Sequence, residues 1–208
     1  MNIVGIVGFI GSGKGAAGDI LVENGFVKES FAKGVKDTAS VMFGWKRHLL
    51  EGDTEESRTF REEPDLFWSQ RFGRDFTPRE VLQKLGTEVG RDVFHEDFWV
   101  LQLEHRVKNY TKPVVITDVR FPNEIDWIHK MGGKVYEIQR GTLPLWYRSL
   151  KATSPVRDDD IRRRIMVGNN THYSEWAWVG CPIDGTIDNN NSLEALTNSI
   201  KRDILCTD

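Results

Sequence analysis

The sequence predicts an α/β fold: a mainly parallel sheet with helices on both faces. Three observations carry this. Short apolar runs suited to buried strands alternate with stretches of helical periodicity. The alternation is strand, helix, strand, which implies right-handed crossovers. The runs themselves, such as Ile3, Val4, Ile6 and Val7 or Val114, Val115 and Ile116, are apolar nearly throughout, as in strands covered on both sides. A chain of 208 residues fits one medium domain, residues 1–208, with room for inserted segments.

Taken in order, the first run leads through Gly8-Phe9-Ile10-Gly11-Ser12-Gly13-Lys14-Gly15 into a helix expected over Ala16 to Glu23. Asn24-Gly25 is a C-terminal stop. Phe26 to Phe31 reads as a second strand. Lys33 to Trp45 reads as a helix with Val35, Ala39, Met42 and Phe43 along one side. From Lys46 to Phe76 the pattern weakens, and Phe60, Phe67, Trp68 and Phe72 mix with Arg58, Arg61, Arg71 and Arg74. That insert reads equally as a mobile segment touching a flat charged ligand or as a small satellite core with a solvated acidic face. Thr77-Pro78-Arg79-Glu80 is a helix start, with Thr as cap, Pro first and Glu third, and this helix is expected to end before Gly86. A further helix is expected from about Asp97, with Trp99, Val100, Leu103 and Val107 at helical spacing. Pro113 to Asp118 predicts a buried strand, Asn123 to Met131 a helix stopped by Gly132-Gly133, and Lys134 to Gln139 another strand. The arginine-rich stretch from Arg140 to Trp178 interrupts the alternation. Gly185 to Asp188 then predicts a last strand, and Asn191 or Ser192 caps a helix carrying Leu193, Leu196 and Ile200.

Composition narrows the function classes. A net charge of -3 argues against a general nucleic-acid coat or a polybasic membrane anchor. Cys181 and Cys206 make no disulfide framework and no C-x-x-C metal pair, and reduced thiols in a cytosol are expected. No apolar run approaches about 20 residues and no basic-then-apolar leader is present, so neither a membrane span nor a signal peptide is expected.

The chemistry begins with the loop. Its glycines let the backbone curl and turn N–H groups inward as an anion nest, the next helix adds its positive end, and Lys14 adds a full charge. This is the phosphate-binding loop pattern, except that Gly15 stands where Ser or Thr is expected. The dinucleotide fingerprint is met only loosely, by Gly11, Gly13 and Ala16, and explains neither Gly8 nor Lys14. Asp118 and Arg120 follow a strand, where ligands of open α/β sheets sit. There Asp118 can hold magnesium through water or accept a hydrogen bond, and Arg120 can clamp a phosphate bidentately. Arg148, Arg157 and Arg162 to Arg164 suggest a lid that stabilises a transferring phosphoryl group while excluding water. The same run, with Asp158 to Asp160, also suits a self-paired helix face.

Together these patches resemble the bacteriophage deoxynucleoside monophosphate kinases, within the P-loop nucleoside monophosphate kinase group. The resemblance rests on Gly8 to Lys14, on Phe31-Ala32-Lys33-Gly34-Val35-Lys36-Asp37 and on Leu82-Gln83-Lys84-Leu85-Gly86-Thr87-Glu88. It continues through Asp97-Phe98-Trp99-Val100, Thr117-Asp118-Val119-Arg120-Phe121-Pro122-Asn123-Glu124 and Thr171-His172-Tyr173-Ser174-Glu175. It implies a three-layer P-loop kinase fold, with an acceptor-binding insert over about residues 46–76 and a lid over about 140–178. It implies that Gly11, Gly13, Lys14, Gly15 and Ala16 surround the ATP phosphates and that Arg140 flanks the adenine or begins the lid. Val35, Lys36, Arg58, Gly86, Thr87, Trp99, Asp118, Arg120, Phe121 and Glu124 would bind the acceptor nucleotide. Lys14, Arg120 and Asp118 would carry the catalysis. Trp99 also suits a purely core position, and Glu124 an early-helix carboxylate. Thr171 to Glu175 reads as a structural lid end. Gly15 has no hydroxyl for magnesium, so the metal ligands are left open, and Thr142 to Asn170 is longer than the resemblance implies and does not align with it.

The expected protein is a cytoplasmic kinase, in the host cytoplasm if phage-encoded. It would use ATP and Mg²⁺ to convert a deoxynucleoside 5′-monophosphate to the diphosphate, as a monomer or homodimer with small nucleotides as partners. Two alternatives stand beside it. One is a P-loop kinase acting on a modified base in DNA, which needs a basic and aromatic groove. The other is a nucleotide-binding regulatory module without transfer activity.

Overall fold

The computed structural model describes residues 2–155, 157–169 and 171–206; Val156 and Asn170, both in the arginine-rich stretch, lie outside them, as do Met1, Thr207 and Asp208. The chain divides into two compact units, one of Met1–Ser30 with Asn109–Asp208 and one of Phe31–Lys108.

The first unit is built on five parallel strands. They are β1 (Ile3–Val7), β2 (Val27–Glu29), β3 (Val114–Ile116), β4 (Lys134–Gln139) and β5 (Gly185–Asp188), in the order β2-β3-β1-β4-β5. Val4 pairs with Val115 on one side and Lys134 on the other, which sets β1 at the centre. Helices α1 (Lys14–Glu23) and α10 (Leu193–Ile200) cover one face. Ala17, Ile20, Leu21, Leu196 and Ile200 pack there with Val4, Ile6, Val115, Ile138 and Ile187. Helix α7 (Pro122–Lys130) covers the other face. It approaches β1 closely because Gly5 has no side chain: a Cβ there would lie 2.5 Å from Ile128 Cδ1. Three layers result, as the alternation of strands and helices requires.

Local sequence explains most boundaries. Asn24 caps the end of α1, and Gly25 takes the left-handed turn beyond it. The Ser192 hydroxyl accepts from the Ala195 N–H at 3.2 Å and starts α10, whose winding continues as wider π-type turns over Lys201–Leu205. Strands β2 and β3 are shorter than the stretches the sequence predicts, so Asp118 lies two residues past β3 rather than at its last position. Leu193 occupies the exposed first turn of α10, ahead of the packed Leu196 and Ile200.

The stretch after β4 folds into α8 (Tyr147–Lys151), α9 (Asp159–Met166) and a single 3-10 turn at Tyr173–Glu175. No helix among the described residues is long and apolar enough to cross a membrane.

The second unit holds α2 (Lys33–Phe43), α3 (Glu55–Glu62), α4 (Leu66–Phe72), α5 (Pro78–Lys84) and α6 (Phe98–Val107). Its core gathers Val35, Ala39, Trp45, Leu50, Phe76, Val81, Leu85 and Trp99, with Phe43, Phe60 and Trp68 against it. The weakly patterned insert therefore contains a satellite core. Trp45 Nε1 donates to Asp65 at 2.8 Å, and Thr54 and Asp65 cap α3 and α4. Phe67 and Phe72 stay exposed, and so does Met42, which points away from the buried Val35–Ala39 side of α2. Thr77 caps α5 as expected, its hydroxyl accepting from the Glu80 N–H at 3.1 Å. The helix does not stop at Gly86. It widens into π-type turns over Leu85–Phe94, because the Trp99 indole braces this segment from inside.

Candidate active site

In the first unit the loop Gly8–Gly13 joins β1 to α1. Gly13, at φ 98°, opens α1 without a side-chain cap, leaving the first N–H groups of the helix to face a ligand. A side chain at Gly13 is also barred by space, since its Cβ would fall 2.2 Å from Asn189 Nδ2. That amide, one residue after β5, donates to the Ser12 carbonyl at 2.8 Å and pins the loop from behind. Sequence reading missed Asn189, which lies in an ordinary turn-forming cluster. The Phe9 ring is held by Trp146, Tyr147 and Trp178, at centroid distances of 5.6, 5.8 and 5.3 Å.

Lys14 turns back over the loop, its ammonium donating to the Gly8 and Phe9 carbonyls at 2.8 and 2.9 Å. Burial pushes its pKa down to about 8. Arg120 adds to the fall, and Glu175 and then Asp118 oppose it. These four charges therefore share one neighbourhood. Gly15 and Ala16 occupy the first turn of α1. Gly15 is exposed, and a Cβ there would meet nothing within 4 Å, so the missing hydroxyl is not forced by packing.

Asp118 accepts a hydrogen bond from the Ser30 hydroxyl at 2.7 Å, linking the exits of β3 and β2. The Nη1 of Arg120 pairs with Glu175 and donates to the Ser174 hydroxyl at 3.3 Å. Glu124 is buried. One of its carboxylate oxygens accepts from the Arg120 and Phe121 N–H groups at 2.7 and 3.1 Å, closing the N-terminus of α7 and fixing the backbone that carries Arg120. Phe121 packs on Tyr173 at 5.9 Å. Arg140 is exposed just past β4.

The arginine-rich stretch splits into two kinds of residue. Arg148, Arg157, Arg163 and Arg164 are exposed. Arg162 is not a lid arginine: only 1% exposed, it donates to the carbonyls of Val179, Ala177 and Trp176 at 2.7, 3.1 and 3.3 Å. It donates also to Leu150 and to the Thr153 hydroxyl. The five donors of a guanidinium suit it to clustered carbonyls, of which those of Trp176 and Leu150 also accept from the Val179 and Thr153 N–H groups. Glu175 is the other residue the sequence did not single out as functional. Its motif, Thr171 to Glu175, reads as structural until folding brings it to Arg120.

In the second unit Val35, Leu85 and Trp99 share one apolar cluster. Trp99 Nε1 donates to the Gly86 carbonyl at 2.9 Å, and its ring fills the space a Cβ on Gly90 would need. The Thr87 hydroxyl donates to the Gln83 carbonyl. Lys36 is ion-paired to Glu51 at 2.6 Å, and Arg47 bridges Glu51 and Asp37; these two cations hold the Glu51 carboxyl below the usual range against the opposing effect of burial. Arg58 lies apart on α3, donating to the Asp53 carbonyl at 3.3 Å.

No family model matches the chain. Over 153 residues it is 34% identical to a protein of Acanthamoeba polyphaga mimivirus whose name assigns it as a deoxynucleotide monophosphate kinase, covering 67% of this chain and 75% of that one. The chain belongs to the viral deoxynucleoside monophosphate kinase family. A shorter match, 51% identical over 49 residues, is to the deoxynucleoside-5′-monophosphate kinase of Escherichia phage T5, covering 23% of this chain and 20% of that one. Similar solved structures include TT1252 from Thermus thermophilus, 16% identical with a TM-score of 0.45, covering 100% and 98% of the two chains. Shikimate kinase from Aquifex aeolicus is 13% identical with a TM-score of 0.43, covering 95% and 92%. The α/β assignment of this family member comes from its own five parallel strands.

Proposed function

We propose that this chain transfers the γ-phosphoryl group of ATP to a deoxynucleoside 5′-monophosphate, giving ADP and the deoxynucleoside diphosphate. The observation that carries this reading is the glycine loop with Lys14 folded over it after β1, and Asp118 and Arg120 following β3, in a chain of this family. Gly11, Gly13, Lys14, Gly15 and Ala16 hold the donor phosphates through N–H groups and the Lys14 ammonium, and Arg140 flanks the adenine. A phosphate oxygen of the acceptor attacks the γ-phosphorus, and the bond to the β-phosphate bridging oxygen breaks as ADP leaves. The acceptor oxygen is already ionised near neutral pH, so no strong base is needed. Lys14 and Arg120 stabilise the charge on the peripheral oxygens.

A magnesium ion, with Asp118 as its protein ligand directly or through water, would neutralise part of the donor-phosphate charge. The donor set fits it in kind, because Asp118 is an oxygen ligand close enough to Lys14 to affect its charge. Among the described residues no group of three or more acidic, histidine or cysteine side chains is arranged around a metal position, so phosphates and water supply most ligands. In the second unit Val35, Lys36, Gly86, Thr87 and Trp99 bind the acceptor, with Arg58 from the insert of about residues 46–76. For Lys36 this requires exchanging Glu51 for the acceptor phosphate. In the first unit Phe121 and Glu124 are acceptor residues, Glu124 through the backbone it fixes. Residues 140–178 act as the lid of a single kinase domain, in the host cytoplasm if phage-encoded.

An acceptor panel tests this: ATP and Mg²⁺ with each ribo- and deoxynucleoside monophosphate, and with single-stranded DNA. Diphosphate formed from at least one deoxynucleoside monophosphate is expected. Label appearing only in DNA would replace the acceptor. Slow hydrolysis indifferent to every acceptor would leave a nucleotide-binding module.

A further inference from the structure

Arg120 and Glu175 are 55 residues apart in sequence and are brought together by folding. The contact is asymmetric. Only Nη1 of the guanidinium is engaged, by the Glu175 carboxylate and the Ser174 hydroxyl, and the side chain is 42% exposed. A guanidinium offers a second, bidentate edge, Nε with Nη2, which matches two oxygens of a phosphate. Among the described residues that edge has no partner. Glu175 thus holds one corner of Arg120 and leaves the phosphate-binding edge open.

The segment that carries Glu175 is itself fixed from several sides. The Glu175 N–H donates to the His172 carbonyl at 2.9 Å, and the Glu175 carbonyl accepts from Trp178 Nε1 at 3.1 Å. The His172 ring, through Nδ1, accepts from the Ser174 N–H and lies 2.9 Å from the Ser174 hydroxyl, which orients the hydroxyl to accept from Arg120. Arg162 binds the next carbonyls, those of Trp176, Ala177 and Val179. A carboxylate on so constrained a turn is a fixed post. It also offsets the repulsion between Arg120 and the half-buried Lys14 ammonium, which otherwise opposes two cations beside one loop.

We infer that Glu175 is a positioning residue for Arg120, clamping Nη1 so that the Nε–Nη2 edge is presented to a phosphate of the nucleotide, with Ser174, His172 and Arg162 holding the clamp. This rests on the kinase reading above and adds to it a residue that touches no substrate.

The experiment compares Glu175→Gln and Glu175→Ala, each alone and combined with Arg120→Ala, in full-length protein. In the presence of Arg120, kcat is expected to fall about tenfold for the Gln variant and about a hundredfold for the Ala variant, the scale of a misplaced catalytic group, while KM for ATP changes little. In the Arg120→Ala background the same changes should cost less than about twofold, because Glu175 acts through Arg120. An activity-free readout accompanies this: side-chain ¹⁵N spectra of Arg120 should show slowed rotation of its Nη groups in the parent and free rotation in Glu175→Ala. Equal losses in both backgrounds, or Arg120 spectra indifferent to Glu175, overturn the inference. A faster enzyme on removing Glu175 also overturns it, since Glu175 would then be parking Arg120. If the parent transfers nothing, the kinase reading falls, and the spectra still decide whether Glu175 clamps Arg120.

Discussion

The loop after β1 and the segment after β4 lie in the same unit and meet around Phe9, yet they are held together in opposite ways. The loop is shaped by backbone conformation. Gly8, Gly11 and Gly13 take positive φ, and the Asn189 amide and the Lys14 ammonium bind loop carbonyls. The segment after β4 is shaped by side chains reaching main-chain carbonyls, with Arg162 at the centre and Trp178 and Thr153 beside it. A backbone-built site leaves its polar N–H groups open for an anion. A segment built on side chains uses up its polar groups and serves as a mount for others.

The contrast predicts that damage to the loop costs function and that damage to the buried Arg162 mount of the segment costs stability. The largest effect belongs to Lys14→Ala, which should lower kcat/KM by about a thousandfold or more, in the range for loss of a preorganised charge at the transferring group. Its melting temperature should stay close to that of the parent, because the substitution buries no new polar group; a rate within tenfold of the parent would remove Lys14 from the site. Arg162→Met should do the reverse. It strands the buried Val179 and Ala177 carbonyls, which costs about 3 kcal/mol and lowers Tm by roughly 10 °C, read by calorimetry. If Tm holds and only activity falls, Arg162 belongs to the site rather than to its mount.

A smaller, pH-dependent effect follows from Lys14. Its pKa in the free protein is about 8, pulled down by burial and by Arg120, and a bound triphosphate favours the charged form. ATP affinity should therefore be flat below pH 8 and fall by up to about tenfold per pH unit above it, measured by calorimetric titration. An affinity unchanged to pH 9.5 would place the Lys14 ammonium outside the site. The smallest effect is expected for Gly15→Ser. The position is open and lies in the first turn of α1, so the substitution should leave the fold intact and add roughly 0.5 kcal/mol of helix preference. By restoring a hydroxyl ligand it should lower the Mg²⁺ concentration for half-maximal rate by about threefold. An unchanged Mg²⁺ requirement would mean that the ion sits away from this turn.

The same contrast explains what the sequence made legible. The loop could be read because its information is local: Gly8, Gly13 and Lys14 are nearly consecutive, and their backbone requirements are strict. The strands Lys134–Gln139 and Gly185–Asp188 and the caps at Thr77 and Ser192 were legible for the same reason. Local rules misjudged the stop at Gly86, because the Trp99 indole, 13 residues away, supports the helix beyond it. They gave Met42 to the packed side of α2, but Phe43 beside it packs against the core and Met42 is exposed. They grouped Arg162 with its exposed neighbours, because burial of an arginine is decided by carbonyls that folding gathers. Glu175 and Asn189 were passed over for a related reason: each acts at a partner more than 50 residues away.

The most direct test of phosphoryl transfer to a nucleotide is a single-turnover experiment with ATP labelled in the γ-phosphate, Mg²⁺ and an excess of one deoxynucleoside monophosphate. The predicted result is label in the β-phosphate of the deoxynucleoside diphosphate, abolished by Lys14→Ala. Label released as inorganic phosphate at a rate independent of the monophosphate would contradict it.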